Sequence, residues 1–169
     1  MKPLFLSALL LSAPALQAQL LGNPGFEDGL EGWQNAEKSP VSSVVEDAAH
    51  TGKGGLRIAD ELTDGGANLT TERFPVTPGQ KITLRLWARS SKDAITAVMI
   101  TPYFSTRKPI LTENGKPPVL INIKKSDDWE PYETEYVLPD EAAAFSIAIR
   151  SWTGAVGTTD LDDFELTLE

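Results

Sequence analysis

Short runs of alternating apolar and polar residues recur along the chain, separated by clusters of Gly, Pro, Asn and Asp. Because successive strand residues point to opposite sides, this pattern predicts strands, with one turn of helix near residues 139–143. The clearest predicted strands are residues 81–90, 94–100, 118–125, 132–138, 144–152 and 159–169, and the weaker ones are residues 42–47, 55–60 and 68–76. Eight or nine short strands favour an all-β fold of two packed antiparallel sheets, a β-sandwich.

The same alternation assigns side chains to faces. The apolar rows predicted to be buried are Ile82, Leu84, Leu86 and Ala88 in one strand and Phe145, Ile147 and Ile149 in another. The opposite rows contain Arg85, Trp87 and Arg89 in the first strand and Arg150 and Trp152 in the second. Both strands are therefore predicted to carry tryptophan and arginine on a face turned away from the core.

Residues 1–18 have the pattern of a secretory signal peptide: a positive start, an apolar run and small residues before a cleavage point. Cleavage is expected after Ala18, with Ala15 as the alternative. The apolar run is too short to span a hydrocarbon core of about 30 Å, and no membrane anchor is expected in the mature chain. Residues 19–169 are expected to form one domain, a monomer, that is secreted to the periplasm or the cell exterior.

Charge and residue types narrow the classes of function. With 24 acidic and 15 basic residues the net charge is −9, which disfavours nucleic acid and anionic lipid as partners. The chain has no cysteine and a single histidine, His50, so zinc sites and Cys/His catalysis are excluded. No Gly-x-Ser-x-Gly motif accompanies His50. We therefore expect a protein that is not an enzyme, although a carboxylate pair that cleaves glycans stays an alternative.

Four segments resemble, in order, the carbohydrate-binding modules of families 4, 9, 16 and 22. They are NPGFEDGLEGWQ (residues 23–34), AHTGKGGLRI (residues 49–58), TPGQKITLRLWARS (residues 77–90) and DLDDFELTL (residues 160–168). The resemblance implies a jelly-roll β-sandwich of the galactose-binding-domain type. It also implies a non-catalytic domain that binds a polysaccharide or oligosaccharide on its concave face.

The first of these segments contains two large apolar anchors, Phe26 and Trp33, which can close one end of a sandwich. Glu27 would then be drawn inward beside them. The resemblance implies a structural calcium ion bound by Glu27, by an aspartate of the last strand, and by main-chain oxygens of residues 51–53, including Lys53. Alternation along the strand does not choose between Asp162 and Asp163, and the family pattern favours Asp162. The alternative is that these acids only cap turns or face water.

A glycan site needs exposed aromatic rings flanked by planar hydrogen-bonding groups. The candidates are Trp152, Arg150, Trp87, Arg85 and Arg89, with Tyr103 or Phe104 at the end of a further strand. Packing is an equal alternative for Trp87, and it is the role expected of Trp33 and Trp129. If the arginines line one cleft, they favour an acidic or sulfated glycan; otherwise they are surface ion pairs. The alternative function is a structural or adhesive domain with a protein or envelope partner.

Overall fold

The computed structural model describes residues 18–61, 66–91, 93–152, 154 and 156–169. All but the last residue of the predicted signal peptide lies outside this part of the chain. The described strands are β1 (Trp33–Gln34), β2 (Ser42–Val45), β3 (Gly55–Asp60), β4 (Asn68–Thr71), β5 (Phe74–Pro75), β6 (Lys81–Ser90), β7 (Thr96–Tyr103), β8 (Val119–Asn122), β9 (Ser126–Val137), β10 (Ala144–Ser151) and β11 (Gly157–Leu168). Single 3-10 turns lie at Ala36–Lys38 and Glu46–Ala48. No helix in the described residues is long and apolar enough to cross a membrane.

The strands form two antiparallel sheets. The β10 sheet has the order β1-β4-β10-β7-β8, and β5 also pairs with β10. The β11 sheet has the order β2-β3-β11-β6-β9. The predicted all-β sandwich is therefore confirmed.

The core lies between the two sheets. The apolar rows predicted in β6 and β10 are fully buried or nearly so, and they form one cluster with apolar residues of β3, β7 and β11. Each fully buried Leu or Ile side chain contributes roughly 1.5–3 kcal/mol through the hydrophobic effect. Because these rows point inward, the alternate residues of β6 and β10 occupy the two outer faces of the sandwich.

Three predicted elements differ most from the structure. The predicted strand of residues 68–76 is divided into β4 and β5, which are separated by Glu72 and Arg73. Strand β9 begins at Ser126, six residues before the predicted start, and contains Pro131. Proline is tolerated there because β9 is an edge strand that pairs only with β6. Residues 139–143 form a turn, closed by the Ala142 N–H donating to the Pro139 carbonyl at 2.9 Å, and not a helical turn.

A bulge interrupts β11 between Asp162 and Glu165, where Asp163 has a φ of +50°. The extra residue resets the alternation, so that both Leu161 and Phe164 point into the core. Strict alternation would place these two side chains on opposite faces. This is why strand parity does not decide between the two aspartates.

Candidate functional site

The six side chains predicted to bind ligand are divided between opposite faces of the sandwich. On the β11 sheet lie Arg85, Trp87 and Arg89 of β6; on the β10 sheet lie Tyr103 of β7 and Arg150 of β10, with Trp152 just beyond the end of β10. The inner faces of the two sheets pack against each other. The six side chains therefore do not line one cleft, because β6 and β10 have the same local pattern but belong to different sheets.

A cavity of about 910 Å³ lies on the outer face of the β10 sheet. Its lining combines two aromatic rings with amide, guanidinium and hydroxyl groups. The lining residues are Gln34, Asn35, Thr70, Thr71, Arg73, Tyr103, Phe104, Ser105, Arg107, Ala143, Ala144 and Ser146. Of the predicted ligand-binding residues, only Tyr103 and its alternative Phe104 line this cavity.

Small side chains of β10 form part of the cavity floor. Ala144 is aligned with Tyr103 of β7, and the Tyr103 hydroxyl lies 3.2 Å from the Ser146 hydroxyl. On the other side, Asn35 has a φ of +65° and its side-chain amide donates to the Thr70 hydroxyl at 3.0 Å. These two contacts orient the Asn35 amide and the Tyr103 ring, both of which line the cavity.

Two cavity residues, Arg73 and Arg107, were missed by sequence reasoning. Arg73 lies between β4 and β5, with its guanidinium carbon 3.9 Å from the centroid of the Tyr103 ring. Arg107 has a φ of +67° and lies in a tight turn, where the Arg107 N–H donates to the Phe104 carbonyl at 2.8 Å. Arg73 falls within the weaker predicted strand of residues 68–76, which the structure divides into β4 and β5, and Arg107 falls in no predicted strand. Only their position beside Tyr103 and Phe104 in the folded chain identifies them.

Trp152 and Arg150 lie on the same side of the molecule but are not among the residues that line the cavity. At about 3.3 Å per strand residue, Trp152 is about 20 Å along the chain from Ser146, the nearest cavity residue of β10. Trp152 is 37% exposed. The Nε atom of Arg150 is buried and has no hydrogen-bond partner in the described part of the chain. A ligand role for these two residues stays a prediction.

The arginines on the β11 sheet are held by carboxylates. Arg85 binds Glu133 at 2.9 Å and Glu165 at 3.2 Å. The hydrogen bond to Glu133, with a smaller contribution from Glu165, raises the pKa of Arg85, and Arg85 in turn lowers the pKa of Glu133. These groups are exposed, so the interaction is screened by solvent and orients the side chains more than it stabilises the fold.

Arg57 and Arg89 share a single carboxylate, Asp160, whose side chain is only 4% exposed. Arg57 Nε donates to one carboxylate oxygen at 2.8 Å, and Arg89 Nε donates to the other at 2.9 Å. Arg89 also donates to the Asp47 carbonyl at 2.6 Å. The network joins β3, β6 and β11, which gives Arg89 a structural role in this face.

We expect Asp160→Ala to lower the free energy of unfolding by about 2–3 kcal/mol. A broken buried pair costs more than this, but both arginines are about one-third exposed and regain some hydration. Urea denaturation measures the change. Glu133→Ala removes an exposed partner of Arg85 and serves as the control, with no measurable loss expected. Equal stability of the Asp160→Ala variant and the wild-type protein would contradict a structural role for this network.

His50 packs between two tryptophans on the same face. Its ring stacks on Trp87 with centroids 4.2 Å apart, and it meets Trp129 edge-on at 5.2 Å. The guanidinium carbon of Arg89 lies 5.0 Å from the centroid of the Trp129 ring. These contacts agree with the packing role predicted for Trp129 and with the packing alternative for Trp87. A ligand role for Arg85, Trp87 and Arg89 stays a prediction.

The opening motif and the last strand meet at the loop of residues 50–54. The Glu27 carboxylate accepts the N–H groups of Lys53 at 2.9 Å and Gly54 at 3.3 Å. The Asp162 carboxylate accepts the N–H groups of His50 at 2.7 Å and Thr51 at 3.1 Å. The structure thus brings together the residues of the predicted calcium site from three distant parts of the sequence.

The two candidate aspartates of this site have different surroundings. Asp163 binds the Thr51 hydroxyl at 2.6 Å and His50 Nδ1 at 2.7 Å. Asp162 is fully buried, and no Lys, Arg or His side chain of the described residues forms an ion pair with it. Burial raises the pKa of Asp162, while N–H groups of Asp163, His50 and Thr51 lower it. Asp162 is therefore the carboxylate that lacks a compensating charge.

Two of the predicted calcium ligands at this loop are carboxylates, the type of oxygen ligand that calcium prefers. Among the described residues, no three His, Cys, Asp or Glu side chains are grouped as a metal site. The predicted set requires only two carboxylates, those of Glu27 and Asp162, with main-chain oxygens completing an all-oxygen shell. The loop groups that face these carboxylates are N–H groups, so the main-chain ligands, including the carbonyl of Lys53, stay a prediction.

Comparison with known proteins identifies the family. One family model, described as "Carbohydrate binding domain" (CBM_4_9), matches residues 18–158. No curated protein sequence matches the chain. The matched residues make up most of the chain.

Solved structures share the fold at low sequence identity. A family 16 carbohydrate-binding module is 16% identical, with 88% of this chain and 99% of that chain covered, and a TM-score of 0.67. TmCBM61, solved with beta-1,4-galactotriose, is 19% identical, with 90% and 99% covered, and a TM-score of 0.63. The CBM22-1 xylan-binding domain of Paenibacillus barcinonensis Xyn10C is 14% identical, with 75% and 80% covered, and a TM-score of 0.54. By its match to the family model, the chain belongs to the carbohydrate binding domain family CBM_4_9.

Proposed function

We propose that this protein is a non-catalytic module that binds a polysaccharide or oligosaccharide in the cavity on the outer face of the β10 sheet. The observation that carries the proposal is the combination in one cavity of Tyr103 and Phe104 with amide and guanidinium donors. Sugar rings present apolar C–H faces to such aromatic rings and hydroxyl groups to such donors. The cavity volume, about 910 Å³, is in the range typical of binding sites for small molecules.

The comparisons support glycan as the ligand class. The chain belongs to a carbohydrate-binding family, and two structures of the same fold are described with beta-1,4-galactotriose and as a xylan-binding domain. Each of those ligands belongs to its own protein. For this chain the proposal names the class of ligand and the cavity, and binding without catalysis is part of the proposal.

Replacing Tyr103 with alanine is expected to weaken glycan binding at least tenfold, or by about 1.4 kcal/mol. The substitution removes the aromatic platform and the ring on which Arg73 rests. Tyr103→Phe keeps the ring and loses only the hydroxyl near Ser146, so most of the affinity should remain. Isothermal titration with a panel of neutral and acidic oligosaccharides measures the difference.

The opposite face provides a second comparison for this experiment. Trp87→Ala should leave the affinity unchanged at a temperature where the variant is folded, because Trp87 lies on the β11 sheet. Binding that is retained in Tyr103→Ala and lost in Trp87→Ala would move the site to the β11 sheet. Failure of the folded wild-type protein to bind any glycan would contradict the proposal.

We also propose that the protein is secreted and contains one structural calcium ion, held by Glu27 and Asp162. Gln19, the first residue after the predicted cleavage point, bonds through its side chain to the Phe164 carbonyl at 2.8 Å and the Leu166 N–H at 2.9 Å. A mature chain beginning at Gln19 would keep these contacts with β11. The buried, uncompensated Asp162 supports the calcium proposal.

A further inference from the structure

The arginines on the two faces of the sandwich differ in whether they form ion pairs. On the β11 sheet, Arg57, Arg85 and Arg89 each have a carboxylate partner within 3.2 Å. On the β10 sheet side lie Arg73, Arg107 and Arg150, and none of these forms an ion pair with any described residue. Among these six arginines, the paired ones lie on the β11 sheet and the unpaired ones lie on the side of the β10 sheet.

The residues that line the cavity on the β10 sheet show the same lack of acidic partners. It includes Arg73 and Arg107, and no Asp or Glu is among its described residues. The whole chain has 24 acidic and 15 basic residues, so acidic side chains outnumber the basic ones that could pair with them. The lining of the cavity is therefore positively charged, whereas the protein as a whole has a net charge of −9.

From this asymmetry we infer that the cavity selects an acidic glycan, one that bears carboxylate or sulfate groups. The inference rests on the proposed glycan-binding function and adds the charge of the ligand. Guanidinium groups bind carboxylate and sulfate oxygens through paired, charge-assisted hydrogen bonds, which neutral hydroxyl groups do not match. The acidic remainder of the surface repels such a ligand, so the cavity is the place where it is accepted.

The side chain of Arg73 is positioned before a ligand arrives. Arg73 rests on the Tyr103 ring at 3.9 Å, a cation–π contact that limits the motion of its side chain. Arg107 is presented by a turn in which the Phe104 N–H donates to the Lys108 carbonyl at 2.9 Å. A glycan stacked on Tyr103 would therefore have a guanidinium group beside it, and the Arg107 turn brings a second one to the same cavity.

The test compares ligands that differ only in charge. One pair is an oligouronide and its fully methyl-esterified form; the other is a sulfated galactan oligosaccharide and its desulfated form. We expect the charged member of at least one pair to bind at least tenfold more tightly in 0.15 M salt, and the advantage to shrink as salt is raised. The two pairs distinguish carboxylate from sulfate as the source of the charge.

Matched variants locate the effect. Arg73→Gln and Arg107→Gln should each reduce the preference for the charged ligand several-fold, while binding of the neutral member changes little. Arg85→Gln removes an arginine from the β11 sheet that is already paired with Glu133 and Glu165, and it should leave the preference unchanged. Thermal unfolding of each variant confirms that it is folded.

Three results would overturn the inference. Equal affinity for the charged and neutral members of both pairs would remove it while leaving the glycan-binding function in place. Charge preference that is lost in Arg85→Gln and kept in Arg73→Gln and Arg107→Gln would place the acidic ligand on the β11 sheet. Absence of binding to every glycan by folded wild-type protein would remove the proposed function, and the inference with it.

Discussion

Replacing Phe26 with alanine is expected to lower the free energy of unfolding by about 3–5 kcal/mol. Phe26 is fully buried, stacks on Trp33 at a centroid distance of 5.5 Å, and meets Phe164 edge-on at 5.8 Å. The smaller side chain would leave a cavity where the opening segment joins β1 and β11. Phe26 has a φ of +55°, and alanine is strained at this φ much as phenylalanine is, so the change reports chiefly on the lost packing.

Thermal unfolding measures this effect. For a domain of this size, each kcal/mol corresponds to about 2–4 °C, so the expected decrease in Tm is about 6–20 °C. Phe104→Ala is the matched control, because Phe104 is 39% exposed and its loss should change Tm little. A Tm that falls equally in both variants, or in neither, would contradict the role of Phe26 as a core anchor.

Removal of calcium is expected to destabilise the protein by a comparable amount. A ligand present at a thousand times its Kd stabilises the folded state by about 4 kcal/mol. Chelation of a structural calcium ion would therefore lower Tm by about 8–16 °C. The physical reason is that Asp162 is fully buried without a cationic side chain among the described residues, and Glu27 is directed to the same loop. Loss of the ion would leave these charges uncompensated.

Variants of the loop test where the ion binds. Glu27→Gln and Asp162→Asn should abolish the dependence of Tm on calcium, whereas Asp163→Asn, which loses contacts with His50 and Thr51, should keep it. Gly52→Ala should act like the first two, since Gly52 has a φ of +69° and an added Cβ would overlap the Glu27 carboxylate. Identical unfolding of the wild-type protein in calcium and in chelator would refute the calcium proposal.

Features that depend on neighbouring residues could be predicted closely. The bounds of β3 and β6 agree with the predicted residues 55–60 and 81–90, and the apolar rows of β6 and β10 are buried as expected. Alternation is a local property, so an unbroken alternating run identifies both the strand and its buried side. The packing roles of Phe26 and Trp33 follow similarly from large apolar side chains among glycines.

Features that depend on pairing between distant segments could not be predicted in this way. Pro131 is tolerated in β9 because β9 lies at the edge of its sheet, and the bulge in β11 is defined by the register of β11 against β6. The candidate cavity was found only in part, through Tyr103 and Phe104. Arg73 lies where the structure divides the predicted strand of residues 68–76 into β4 and β5, and Arg107 lies in a turn with no periodicity to indicate a face.

The sequence by itself determined most of the strands, the buried rows of β6 and β10, the sandwich class and, through spaced motifs, a carbohydrate-binding family. Only the tertiary structure decided which sheet each strand joins, and hence that the β6 and β10 arginines lie on opposite faces. It also decided which arginines are neutralised, as in the pair of Arg89 with Asp160, 71 residues apart. The reason is physical: a strand pattern specifies inside and outside, whereas the partner of an outward-facing charge is set by long-range packing.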